Sequence, residues 1–290
     1  MNNAKIRIGR ISYANVWPVF HHFDYERFAE RTTIVAEVPS GLNRAMARGE
    51  VDLGPISSFA YGEAGDRYVL LPDLSVSAFG HVNSILLFHR QPLAQTLAGT
   101  FALPTTSATS VNLLKILLAK YYGASPTYFD AAPSLPDMMA QADAALLIGD
   151  DAIRAHWAND RSGEYLVTDL GELWRRHTGH WMSFAVWALR KEAAERCGEL
   201  IAELHAAFQA SKEQAKLDPE TLVTEAVRTI GGSPSYWRHY FAHLSSDFGR
   251  EQQAGLRYYF DCAWELGLLE RPAALHIWDV DLNKAVRVNE

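Results

Sequence analysis

VPSGLNRAMARGEVDLGPISSFAY, residues Val38 to Tyr61, decides the fold class. Ser40 caps a helix that starts after Pro39, Leu42, Ala45 and Met46 recur at helical spacing, and Gly49 closes it. Val51 to Ile56 is a short apolar strand that runs directly into Ser57 and Ser58, where another helix should begin. A strand apolar along its whole length, set between helices, is buried on both faces. That is the habit of parallel sheets in α/β proteins.

The same alternation extends in both directions. Ile6 and Ile8 open a strand that stops at Gly9 to Ser12, and Thr33 to Val38 forms a second. Further on, Thr100 to Leu103, Thr127 to Phe129 and Ala144 to Ile148 read as strands. Between the first two of these, Thr105 to Ser110 leads into a helix with Val111, Leu114, Leu118 and Tyr121 on one face, ended by Gly123. Tyr68 to Arg90 is extended, which suggests a crossover into another lobe, and the apolar strand Ser183 to Arg190 suggests the return. Beyond it only helices are expected, at Lys191 to Leu217, Glu220 to Ile230 and Arg250 to Leu266. The expected organisation is one discontinuous lobe of residues 1–88 with 186–290, and an inserted lobe of residues 89–185.

A length of 290 residues suits about two domains. With 48% hydrophobic against 21% charged residues and a mean hydropathy of −0.12, disordered, fibrous and low-complexity classes are excluded. No apolar stretch approaches the roughly 18 residues of a membrane span, and Arg7 and Arg10 interrupt the first twenty residues, so a cytoplasmic protein with neither membrane contact nor signal peptide is expected. The formal charge is −7, and no basic run exceeds two residues, so no nucleic-acid partner is expected. Cys197 and Cys262 stand alone and read as two buried reduced thiols. His21 and His22 are adjacent and diverge, so they make no metal pair. Phosphate-loop, dinucleotide and serine-hydrolase motifs are missing as well. Neither a metal nor an organic cofactor is expected.

Ligands of such sheets bind beyond the carboxyl ends of the strands. That rule selects Arg10 to Asn15, Ile56 to Ser58, Pro104 to Ser110 and Gly149 to Asp151. These turns are rich in hydroxyls at helix starts, where free N–H groups and the positive end of the helix dipole favour anions, carboxylates included. Ser57 and Ser107 also read as ordinary N-caps, but two such turns facing one cleft favour an anion site. Asp150 and Asp151 read equally as a general base or as helix caps. From the residues alone the cleft suits a small polyanionic organic molecule, and an enzyme and a carrier stay equally open.

The segments picked out by these arguments resemble the chorismate dehydratases, the first enzymes of the futalosine route to menaquinone. The resemblance lies in IGRISYANVWPVF (Ile8 to Phe20), VPSGLNRAMARGEVDLGPISSFAY, the pair Asn83 and Ser84, TTSATSVNLLK (Thr105 to Lys115), ALLIGDDAI (Ala145 to Ile153), and DLGELWRRHTG followed by FAVW. It covers about the first two thirds of the chain. Trp181 and Met182 stand where the family usually has a proline and an aromatic residue.

The resemblance implies an α/β, two-lobed, type II periplasmic-binding-protein-like fold with a central ligand cleft and a helical C-terminal segment. It implies dehydration of chorismate, a dicarboxylate, to 3-[(1-carboxyvinyl)oxy]benzoate. Asn15 and Ser84 match the residues implicated in catalysis. Ser57, Ser58, Asn83, Thr106, Ser107 and Asp150 are the expected substrate-binding residues. Two alternatives are a non-catalytic carboxylate-binding protein of the same fold and the 1,4-dihydroxy-6-naphthoate synthase of the same pathway.

Overall fold

The computed structural model describes residues 5–279 and 284–287. Twelve strands among them form two sheets: β1 (Ile6–Ile11), β2 (Thr32–Glu37), β3 (Leu53–Ser57), β4 (Tyr68–Ala78), β5 (Ile85–His89), β6 (Thr100–Pro104), β7 (Thr127–Ala131), β8 (Ala144–Ile148), β9 (Leu166–Asp169), β10 (Met182–Arg190), β11 (His276–Asp279) and β12 (Lys284–Arg287). The larger sheet has the order β12-β11-β4-β10-β3-β1-β2, and the smaller β7-β6-β8-β5-β9. β1, β2 and β3 run parallel, as do β6, β7 and β8, while β10 and β5 run against their neighbours. β3 and β8 are buried along their whole length, as expected for strands covered on both faces.

The passages between the sheets fall at residues 79–84 and, on the return, at helix Leu170–Thr178 with residues 179–181. The sequence reading puts the passages within the strands near Leu87 and Val186. In the structure β5 pairs inside the smaller sheet and the return strand starts at Met182. Left-handed backbone at Gly80 and Asn83 breaks the extended run between β4 and β5. Nothing in the apolar pattern of that run marks the break.

The C-terminal segment also departs from an all-helical reading. Helices Lys191–Leu217, Pro219–Thr229 and Arg250–Glu265 fall where expected, but a further helix, Pro234–His243, lies between them and β11 joins the larger sheet beside β4. Phe208 and Phe20 stack edge to face at 5.4 Å, and Phe20 packs on Trp187 of β10, so the long helix closes one face of the larger sheet. A separate apolar cluster of Leu86, Phe88, Ala102, Met138 and Leu147 covers the outer face of the smaller sheet. Cys262 is buried, but Cys197 is only half-buried, at the point where the long helix leaves helical geometry with φ −135° and ψ 34°. No helix among the described residues is long and apolar enough to cross a membrane.

Candidate active site

The carboxyl ends of β1, β3, β6 and β8 converge between the two sheets. Asn15, Ser57, Ser84 and Ser107 line one narrow cavity there, together with Tyr13, Ser110, Gly149 and an apolar wall from Val76, Val82 and Phe184. Among the described residues, no Lys, Arg, His, Asp or Glu side chain lines it. An anion held here would be bound by hydroxyls, amides and backbone N–H groups rather than by an opposite charge. The free volume is about 30 Å³, room for about one water and roughly tenfold below the smallest ordinary ligand pockets.

Each hydroxyl is held differently. Ser57 precedes helix Ser58–Ala64 without capping it by its side chain. Instead Asn43 grips it twice: its Nδ2 donates to Ser57 Oγ at 2.6 Å and its Oδ1 accepts the Ser57 N–H at 3.0 Å. Ser107 is a true cap of helix Ala108–Ile116, accepting the Ser110 N–H at 3.2 Å and donating to Ser110 Oγ at 3.1 Å. The ordinary-cap reading therefore describes Ser107 and fails for Ser57. Ser84 is buried; its carbonyl accepts the Gly149 N–H at 2.7 Å, and its Oγ lies 3.3 Å from Val82 O and 3.3 Å from the Tyr240 hydroxyl. Asn15 Oδ1 is buried with no hydrogen-bond partner among the described residues. A bare acceptor on a cavity wall costs stability unless a ligand donor or a water meets it.

Four expected binding residues lie off the wall. Ser58 Oγ donates to Ser183 O at 2.7 Å and ties helix Ser58–Ala64 to β10. Asn83 takes φ +59°, which asparagine tolerates better than most residues, and donates its N–H to Asp169 Oδ2 at 2.7 Å. Thr106 presents its carbonyl to the Ser40 N–H at 3.1 Å, in the first turn of helix Pro39–Arg48. Ser40 is thus a residue of that first turn and not its cap, which is Val38. Asp150, in the first turn of helix Gly149–Ser162, accepts the Ala14 N–H at 3.1 Å, and burial pushes its carboxyl up to about 6.

The Ser40–Thr106 and Ala14–Asp150 bonds both join one sheet's elements to the other's. Tyr13 strengthens the second: its hydroxyl lies 3.4 Å from Asp151 Oδ2, and burial, with the Asp151 charge behind it, pushes the phenol up to about 12. Gly149 makes the close approach possible, since it has φ +59° and a Cβ there would lie 2.5 Å from the Tyr13 ring. Tyr13, Asn43 and Tyr240 are the polar residues that sequence reasoning missed. Tyr13 lies inside the selected turn Arg10 to Asn15, but a lone tyrosine there also fits a core reading. Asn43 and Tyr240 carry no local signal at all.

A model of the family described as Menaquinone biosynthesis matches residues 6–265. A chorismate dehydratase of Thermus thermophilus is 36% identical over 262 residues, which cover 86% of this chain and 92% of that protein. The chain belongs to the menaquinone-biosynthesis family. Among solved structures, a protein of Archaeoglobus fulgidus superposes with a TM-score of 0.73 at 17% identity, covering 91% of this chain and 98% of its own. The alkanesulfonate-binding protein of Xanthomonas axonopodis pv. citri, bound to MOPS, gives 0.69 at 17% identity over 93% and 96%. At such identities the likeness shows the fold alone. For this member of the menaquinone-biosynthesis family it is the two-lobed periplasmic-binding-protein fold that the resemblance implies, with its cleft where Asn15, Ser57, Ser84 and Ser107 meet.

Proposed function

We propose that this chain is a chorismate dehydratase, a carbon–oxygen hydro-lyase that converts chorismate to 3-[(1-carboxyvinyl)oxy]benzoate, with Asn15 and Ser84 as its catalytic residues. The observation that carries this reading is that Asn15, Ser57, Ser84 and Ser107, from four separate segments of the chain, share one narrow cavity on whose wall, among the described residues, no charged side chain stands. The 36% identity to a chorismate dehydratase supports it further.

The reaction asks little covalent chemistry of the protein. The C3 hydrogen leaves as a proton and the C4 hydroxyl leaves as water. The electron pair of the C3–H bond becomes the last double bond of an aromatic ring. The substrate's own enolpyruvyl carboxylate takes the C3 proton and yields it to the departing hydroxide, which leaves as water and regenerates the carboxylate, and the protein holds the conformer in which that carboxylate reaches C3. Ser84 donates to the departing hydroxyl, and the uncommitted Asn15 side chain orients that hydroxyl or a carboxylate, where charge develops. Ser57 and Ser107, on the cavity wall, anchor the carboxylates through hydroxyls and backbone N–H groups. With about 30 Å³ free, the lobes must part to admit substrate and close over it, which strips water from the reacting groups.

Mixing the purified protein with chorismate and following ultraviolet absorbance tests this reading. It expects stoichiometric conversion to the substituted benzoate. Tight binding of chorismate without conversion would refute it in favour of a non-catalytic binding protein.

A further inference from the structure

We infer that Tyr240 is a positioning residue for Ser84, donating its phenolic proton to Ser84 Oγ so that the serine's own proton is free for the substrate. The inference rests on Ser84 acting as the proposed donor in chorismate dehydration.

Tyr240 lies on helix Pro234–His243, 156 residues along the chain from Ser84, and its hydroxyl is 3.3 Å from Ser84 Oγ in a fully buried contact. A serine hydroxyl has one proton to give and two lone pairs to fill. Burial pushes the Tyr240 phenol well above its ordinary range, so it stays a donor at every working pH. Its proton fills one lone pair of Ser84. The serine proton then has two acceptors: Val82 O, 3.3 Å away, or a ligand oxygen in the cavity. A phenol-to-serine-to-ligand chain is cooperative, so donation from Tyr240 makes Ser84 the stronger donor. Both separations are long for hydroxyl bonds, and catalytic hydrogen bonds commonly shorten only when substrate is bound.

The helix is built to hold this geometry. Ser233 caps it through the Tyr236 N–H at 3.2 Å, and the buried Trp237 donates to Gly231 O at 2.6 Å. One turn before Tyr240, on the same face, the Tyr236 hydroxyl donates to Asn83 O at 3.3 Å. The two tyrosine rings lie nearly parallel, 11° apart. The helix therefore grips the passage between the lobes twice, at the main chain of residue 83 and at the side chain of residue 84.

Tyr240→Phe removes one oxygen and leaves the ring packing. Chorismate kinetics on this variant should show kcat about three- to tenfold lower, the range for losing one neutral hydrogen bond, with KM changed by less than about twofold. Ring-fluorinated tyrosines placed at 240 should raise kcat in order of phenol acidity, which a purely packing role would not do. A kcat unchanged in Tyr240→Phe, or a loss carried wholly in KM, overturns the inference while leaving the dehydratase reading intact. A wild-type protein that leaves chorismate unconverted overturns that reading and this role with it.

Discussion

Replacing Asp150 with asparagine should stabilise the protein at neutral pH and lose that advantage in acid. Asp150 is 7% exposed and faces the Ala14 N–H, Arg154, the carboxylate of Asp151 and the phenols of Tyr236 and Tyr240. Burial dominates and moves its carboxyl from 3.8 to about 6, roughly two units. At about 1.36 kcal/mol per unit, keeping it ionised costs the fold about 3 kcal/mol. Because the folded-state value is raised, the folded chain binds the proton more tightly than the unfolded one. The stability that Asp150 contributes is therefore complete below pH 4 and is lost as pH rises through 6. About 2 kcal/mol of the change falls between pH 4.5 and 8, because the unfolded side chain is already mostly ionised at pH 4.5.

Asparagine keeps an oxygen that accepts the Ala14 N–H and has no charge to desolvate. The melting temperature of Asp150→Asn relative to wild type should therefore rise between pH 4.5 and 8, by roughly 3 °C for a chain of this length. Scanning calorimetry at the two pH values measures it. A difference between variant and wild type that stays constant across that range would refute the reasoning, because it would mean that Asp150 ionises in the fold as it does in water.

Gly149→Ala should weaken binding of the benzoate product and enlarge the radius of gyration measured by scattering, because the new Cβ would meet the Tyr13 ring across the closed cleft. Lys212→Met should cost about 2 kcal/mol in chemical denaturation, since the buried ammonium bridges Asp73 and Asp247, but not the 3 to 5 of a fully buried pair, because both carboxylates are exposed enough to regain water. In steady-state kinetics Asn15→Ala and Ser84→Ala should lower kcat by about 100-fold or more, while Ser107→Ala should lose about 1 to 2 kcal/mol, chiefly in KM. Ser107→Ala should also melt slightly earlier, because the cap of helix Ala108–Ile116 goes with it, at about 1 kcal/mol.

The sequence by itself determined the strand–turn–helix units. β8 falls at the very residues that its unbroken apolar run marks, and helix Lys191–Leu217 at those that helical spacing marks, because burial of both faces or of one is written into local sequence. The rule that ligands sit beyond strand ends selected the turns of Asn15, Ser57 and Ser107, and the family resemblance added Ser84, which precedes the amino end of β5. What each polar group does was decided by tertiary structure. Ser57 and Ser107 look alike as sequence, yet one is clamped by Asn43 and the other caps its own helix. Asp150 reads equally as base or cap, and its bond to Ala14 spans 136 positions of chain. Helix Pro234–His243 is crowded with aromatic residues that blur its periodicity, and its two tyrosines acquire meaning only where folding sets them against residues 83 and 84. Local spacing reports which face of an element is buried. The partner of a polar side chain depends on distances across the fold, to which local spacing is blind.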